Sequence, residues 1–157
     1  MGKIENARMT QKIKIKNGRI ITAQRIFENG SLFLDNGFIT KISDKDIASR
    51  ADFLLDAKGN FVSPGFIDIH VHGGGGSDFM DGTVKDFLTV ATTHARFGTT
   101  FLVPTTLTAE IEDLLNSLNV YKKAANKNEN VANFLGMHIE SPYFAMNQKG
   151  AQDPRLF

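Results

Sequence analysis

The sequence predicts an α/β protein: a small β region over 1–62, then, over 63–157, the strand–helix alternation of parallel βα units. Three observations predict it. Up to about residue 62, apolar and polar residues alternate with period two and are punctuated by turn dipeptides. Three apolar runs follow, 66–72 (FIDIHVH), 100–106 (TFLVPTT) and 134–140 (FLGMHIE), and each starts 34 residues after the one before. Two amphipathic helical patterns lie between them.

In the first region Ile13 and Ile15 alternate with Lys12, Lys14 and Lys16, and Asn17-Gly18 is expected to turn a hairpin before Arg19, Ile20 and Ile21. Asn36-Gly37 has the same signature between SLFLD and FITKIS. A further strand pair is expected at 52–55 and 60–62, turned by Lys58-Gly59. In the second region Val84, Phe87, Leu88 and Ala91 fall at i, i+3, i+4 and i+7. Thr83 and Asp86 open that helix in the manner of a capping box, and Gly98 closes it. Ile111, Leu114, Leu115 and Leu118 repeat the spacing, with Thr108 as the expected N-cap and Glu110, Glu112 and Asp113 near the positive end of the dipole.

A 34-residue βα step is close to that of an eight-unit barrel of about 250 residues. The pattern alone leaves a barrel and an open doubly wound sheet both standing. In either, the loops that gather at the carboxyl ends of the strands carry the chemistry.

Composition narrows that chemistry. The 157 residues carry a formal charge of +1, and the basic residues are scattered apart from one KIKIK cluster. No electrostatic footprint for nucleic acid or an anionic membrane results. The hydrophobic share of 41% and charged share of 22% are those of a globular domain with a packed core. The first twenty residues hold no leader-like apolar run, and nothing approaches 18 apolar residues in a row, so a soluble cytoplasmic chain is expected. With no cysteine, a metal can be held only by nitrogen and oxygen.

At the end of the first run stand His70 and His72, two apart and therefore on one face, with Asp68 behind them as a possible acceptor for one ring. Two neutral imidazoles converging at a strand end make half of a divalent-metal site; a strand that happens to carry two satisfied histidines is the plain alternative. His138 and Glu140 repeat the spacing at the end of the third run. A carboxylate there is costly unless paired, protonated or bound to a cation, so a metal ligand and a structural ion pair both remain open. The Gly73–Gly76 run lacks the GK[ST] ending of a phosphate loop and is read as a permissive turn. His94 is read as structural, and the Lys122, Lys123 and Lys127 cluster as a complement to a helix dipole.

These residues carry a resemblance. Asp56-Ala57-Lys58-Gly59 and Val62-Ser63-Pro64-Gly65-Phe66-Ile67-Asp68-Ile69-His70-Val71-His72-Gly73 resemble the entry strand of the amidohydrolase superfamily. Gly98 to Thr106, the Leu135-Gly136-Met137-His138-Ile139-Glu140-Ser141-Pro142 segment and Lys149-Gly150-Ala151-Gln152-Asp153-Pro154 resemble the N-acetylglucosamine-6-phosphate deacetylases within it. Ser141 departs from the family, which usually has Gly there.

The resemblance implies the start of a (β/α)8 TIM-type metal-dependent hydrolase barrel, about three of its eight βα units, preceded by a small β-sandwich domain. It makes Glu140 the metal ligand common to these deacetylases and His70 and His72 a second metal position, with Asp68 and His138 behind them. Ala151 and Gln152 match the substrate-contacting pair. The implied cofactor is a divalent metal such as Zn or Fe, as one ion or two. The implied partners are a small amino-sugar phosphate and, in the parent enzyme, a second copy in a homodimer. The implied reaction hydrolyses N-acetylglucosamine 6-phosphate to glucosamine 6-phosphate and acetate. The general-base aspartate comes from a later strand in the family, so this stretch is read as the N-terminal part of a deacetylase and is expected to be inactive alone. Another amidohydrolase, such as a cyclic-amide hydrolase or deaminase, and a non-catalytic fragment are the alternatives.

Overall fold

The computed structural model describes residues 11–140 and 143–156, and the chain divides into two compact units, Met1–Pro64 and Gly65–Phe157. The beginning of the stretch expected to lack a leader, and the Ser141-Pro142 part of the family motif, lie outside the described residues.

The first unit is a five-stranded sheet of β1 (Lys12–Ile21), β2 (Ile26–Asp35), β3 (Phe38–Ser43), β4 (Phe53–Asp56) and β5 (Phe61–Val62). Its order is β3-β2-β1-β4, with β5 also on β1. Asn36 (φ 52°) and Gly37 (φ 81°) turn β2 into antiparallel β3, as their signature predicts, because a right-handed strand twist favours a turn with both central residues at positive φ. Asn17-Gly18 does not turn the chain. β1 runs straight through it, and between Ile15 and Gly18 it carries one residue more than β2 does between Leu32 and Gly30, which is a bulge. Asn17 takes φ 54°, and its Nδ2 donates to both Asp56 carboxylate oxygens at 3.0 and 3.1 Å, so β4 claims the bulge. The strand pair expected at 52–55 and 60–62 is also corrected. β4 and β5 each pair parallel to β1 rather than with each other. Ile20, Leu32, Phe33 and Ile47 form the buried apolar set of this unit.

The second unit has β6 (Phe66–Val71), a glycine hairpin of β7 (Gly73–Gly74) and β8 (Ser77–Asp78), α1 (Val84–Ala95), β9 (Thr99–Pro104), α2 (Ile111–Ala125) and β10 (Asn133–Phe134). β6, β9 and β10 form a parallel sheet in sequential order, with a helix in each crossover. The first 34-residue step matches the register at Ile67–Phe101 and Asp68–Leu102, whereas Phe66 pairs with Thr99 and Phe101 pairs with Asn133, so register shifts shorten the step elsewhere. Helix α1 begins as predicted: the Thr83 hydroxyl accepts from the Asp86 amide at 3.3 Å and donates to its carboxylate. That bond and one from Ser77 hold the Asp86 carboxyl below its usual range. Gly98, at φ 93°, ends the turn after the helix.

Helix α2 differs from expectation in two respects. Glu110, not Thr108, occupies its N-cap, and no side chain caps it. Its buried face is Leu114, Ser117, Val120 and Ala124, while Ile111 and Leu115 lie 56% and 54% exposed. Ser117 turns inward because its hydroxyl donates to the buried Phe79 carbonyl, and Ala124 joins the core, while Leu115 stays outside. The core joins Phe79, Phe87, Val90, Ala91, Leu102, Val120, Ala124 and Ala132. Phe79 and Phe87 are fully buried with ring centroids 4.8 Å apart, and each contributes about 1.5–3 kcal/mol by burial.

The third expected strand is shorter than 134–140. Beyond Phe134 it keeps one bridge, His138 to Thr105, and separate main-chain bonds from Leu135 to Leu102 and from His138 to Pro104. No helix among the described residues is long and apolar enough to cross a membrane.

Candidate metal centre

Strand β6 delivers His70 and, one step past its end, His72. Their Nε2 atoms lie 3.2 Å apart with the rings nearly perpendicular. The Nδ1 of His72 lies 3.3 Å from the Thr105 carbonyl oxygen. A carbonyl can only accept, so this contact places the proton on Nδ1 and leaves the Nε2 lone pair free to bind a metal. Asp68 acts differently from expectation: its Oδ1 accepts from the His70 main-chain N–H at 3.2 Å and fixes the strand, not a ring.

Glu140 arrives from the other side of β9. Its amide donates to the Thr106 hydroxyl at 3.1 Å, and its Oε2 stands 3.5 Å from His72 Nε2 and 3.8 Å from His70 Nε2. That oxygen is buried and has no hydrogen-bond partner. An orphaned buried carboxylate oxygen is expensive, and a hydrogen-bonded ion pair with a protonated imidazole would have satisfied it. A cation between the three groups also satisfies it. The donor triangle has edges of 3.2, 3.5 and 3.8 Å. Ligands on one tetrahedral ion with bonds of about 2.1 Å stand about 3.4 Å apart, so the triangle fits a small divalent ion. His70 and His72 remain 47% and 33% exposed, which leaves one side open to water or substrate.

The other residues singled out from the sequence fall around this group. His138 stacks its ring edge-on against that of His70 at 5.0 Å but adds no donor to the triangle. Gln152 accepts from the Thr108 amide through Oε1 at 3.1 Å, tying the Lys149–Pro154 loop to the segment after β9; Ala151 is exposed beside it. Lys149, at the start of that loop, directs its Nζ to the carbonyls of Gly150 and Gln152. His94 holds the Gly73 carbonyl at 3.1 Å, a structural role, and Gly75 and Gly76 take positive φ to close the β7–β8 hairpin. Sequence reasoning missed Thr105 and Thr106, both fully buried and both touching the site. Their signal is a pair of hydroxyls at the end of an apolar run, where only hydrogen-bonded polar groups survive burial.

No protein-family model matches the chain. Against curated proteins it is 31% identical over 155 residues to the N-acetylglucosamine-6-phosphate deacetylase of Bacillus subtilis, covering 92% of this chain and 37% of that protein. The chain is a relative of the N-acetylglucosamine-6-phosphate deacetylases. It aligns with the N-terminal part of these deacetylases and spans little more than a third of their length. The crystal structure of the Pasteurella multocida deacetylase superposes with a TM-score of 0.79 at 28% identity, over 92% of this chain and 38% of that one. An N-acetylgalactosamine-6-phosphate deacetylase of Escherichia coli O157:H7 is 30% identical over 139 residues, covering 88% of this chain and 36% of that protein. An L-hydantoinase from Arthrobacter aurescens superposes at TM-score 0.51 and 22% identity, over 83% of this chain and 28% of that one, a likeness of fold alone.

Proposed function

We propose that the chain forms the opening of a (β/α)8 barrel, three βα units behind part of a small β-sandwich, in an enzyme that hydrolyses N-acetylglucosamine 6-phosphate to glucosamine 6-phosphate and acetate. The sequential parallel order β10-β9-β6 is that of neighbouring barrel strands and equally of one half of a doubly wound sheet, so the choice of the barrel is supported by the deacetylase superposition. The deacetylase relatives support the reaction. The observation that carries the reading is the orphaned Glu140 Oε2, aimed at two imidazole nitrogens at the carboxyl end of the sheet.

In this reading His70, His72 and Glu140 hold a divalent metal, Zn or Fe by donor type, as one ion or as part of a pair. Such an ion polarises an amide carbonyl and lowers the pKa of its water to about 7. The His72 Nδ1–H contact with Thr105 keeps that imidazole neutral-side-out, and the exposed faces of His70 and His72 admit the acetamido group. Ala151 and Gln152 line the sugar-phosphate side. The general base is assigned to no residue of this chain. The partner is a small amino-sugar phosphate, the assembly a homodimer and the compartment the cytoplasm.

The test is metal content together with acetate release from N-acetylglucosamine 6-phosphate, measured on the protein that carries this chain, with and without Glu140→Gln. Loss of both in the variant is expected; unchanged metal content overturns the ligand assignment. A cyclic-amide hydrolase is the second reading, supported by 42% identity over 60 residues, 38% of this chain, to a dihydroorotase of Geobacillus. Opening of a dihydropyrimidine ring without acetate release selects it.

A further inference from the structure

The two halves of the donor triangle come from β6 and from the 134–140 segment, which do not pair with each other; β9 lies between them. Beside the Pro104 carbonyl, which accepts from the His138 amide at 2.8 Å, two consecutive residues just past the end of β9 connect that strand end to the donor-bearing segments. Thr105 serves β6. Its amide donates to the Val71 carbonyl at 2.9 Å, its hydroxyl accepts from the Val71 amide at 3.2 Å, and its carbonyl faces His72 Nδ1 at 3.3 Å. Thr106 serves the other side, where its amide donates to the His138 carbonyl at 3.0 Å and its hydroxyl accepts from the Glu140 amide at 3.1 Å. Both side chains are completely buried.

The placement of the hydroxyls matters because the sheet ladder has already lapsed there. The regular pairing of β9 with β10 ends at Phe134, and Glu140 has a side-chain oxygen, rather than a strand carbonyl, as the acceptor for its N–H. Valine at 106 would fill the same volume and leave that N–H with nothing to bond. The main-chain bonds of His138 to Pro104 and Thr106 would remain, but Glu140, two residues on, would lose its own tie to the β9 end, and a shift of a few tenths of an ångström per edge is enough to spoil a triangle whose sides are 3.2–3.8 Å.

We propose that Thr105-Thr106 is a clasp that sets the separation between the histidine pair and Glu140, with the Thr106 hydroxyl as the positioning group for Glu140. This rests on the reading of His70, His72 and Glu140 as metal ligands and adds residues that touch no metal themselves. Groups that orient ligands in this way typically govern affinity by 10–100-fold.

Cobalt(II) tests it, because its visible spectrum reports the ligand set as well as occupancy. The metal-free protein that carries this chain is titrated with Co²⁺ as parent, Thr106→Val and Thr106→Ser. Thr106→Val is expected to bind about 10–100-fold more weakly with an altered spectrum, and Thr106→Ser to bind within about threefold of the parent with the parental spectrum. Equal affinity in Thr106→Val overturns the clasp, and so does a Thr106→Ser variant as weak as Thr106→Val, since the methyl group would then be what matters. A parent that binds no Co²⁺ overturns the metal reading instead. The Glu140 amide then decides the clasp by hydrogen exchange in the metal-free parent: slow exchange is expected, and exchange at the rate of an open loop overturns it.

Discussion

Ser117 Oγ donates a 2.8 Å hydrogen bond to the Phe79 carbonyl, and the two residues are 1% and 0% exposed. The bond fastens α2 to the loop that leads into α1, inside the core. Ser117→Ala keeps helix propensity and leaves the carbonyl buried without this donor. A loss of about 1–3 kcal/mol is expected, seen as a lower urea midpoint with an unchanged slope.

Gly65 has no room for a side chain. A Cβ there would lie 2.1 Å from Thr100 Cγ2 and 2.4 Å from Thr100 Oγ1. Gly65→Ala is expected to cost about 1–3 kcal/mol. Thr100→Ala removes both of those atoms, so the double variant is expected to recover part of the loss. A double-mutant cycle in urea measures the coupling, and strict additivity would contradict the clash.

Arg155 grips the carboxylate of Asp153 with its side chain and its main-chain amide, and these bonds lower the Asp153 pKa to about 2 from an ordinary 3.8. A depressed carboxyl pKa means the folded loop prefers the ionised form. The stabilisation is therefore fully present above pH 3.8 and is lost as pH falls through about 2. Carboxyl NMR titration is expected to give the low value in the parent and a higher one in Arg155→Gln, which keeps only the main-chain bond.

Glu140 sets ligand binding against stability. In the metal-free chain, Glu140→Gln replaces a charged, partnerless oxygen by an amide that can donate to a histidine nitrogen. The variant is expected to melt higher than the parent without metal, by the equivalent of about 1 kcal/mol. Saturating metal at 100 times Kd is expected to raise the parent by about 2.7 kcal/mol and to leave the variant unmoved. Thermal melts with and without chelator check both signs.

The sequence was most legible where local chemistry and tertiary context agree. Thr83, Asp86 and Gly98 bound α1 because a cap and a positive-φ stop act within one turn. Asn36-Gly37 turns a hairpin, yet the identical dipeptide at Asn17-Gly18 makes a bulge. The difference is long-range: β4 supplies Asp56 for the Asn17 side chain, and Val62 closes over Gly18, where a Cβ would sit 2.9 Å away. The face of α2 differs from its apolar pattern for the same kind of reason, since leucines outrank Ser117 and Ala124 in any apolar count, yet Phe79 supplies a buried carbonyl for the Ser117 hydroxyl and Ala124 joins the core. His70, His72 and Glu140 were legible because the period of a strand is two. Thr105 and Thr106 were not, because their roles depend on which strands flank β9.

The lapse of the ladder between Phe134 and Glu140 also bears on which changes of length the chain tolerates. In extended backbone, adding one residue between 134 and 138 presents Met137 and Ile139 where His138 and Glu140 now stand, and deleting one presents Ile139 and Ser141 there. No substitution elsewhere in the segment repairs that. The turn at 126–130 carries no such constraint, so insertions among homologues are expected there, while the count from Phe134 to Glu140 stays fixed even where the residues between them drift.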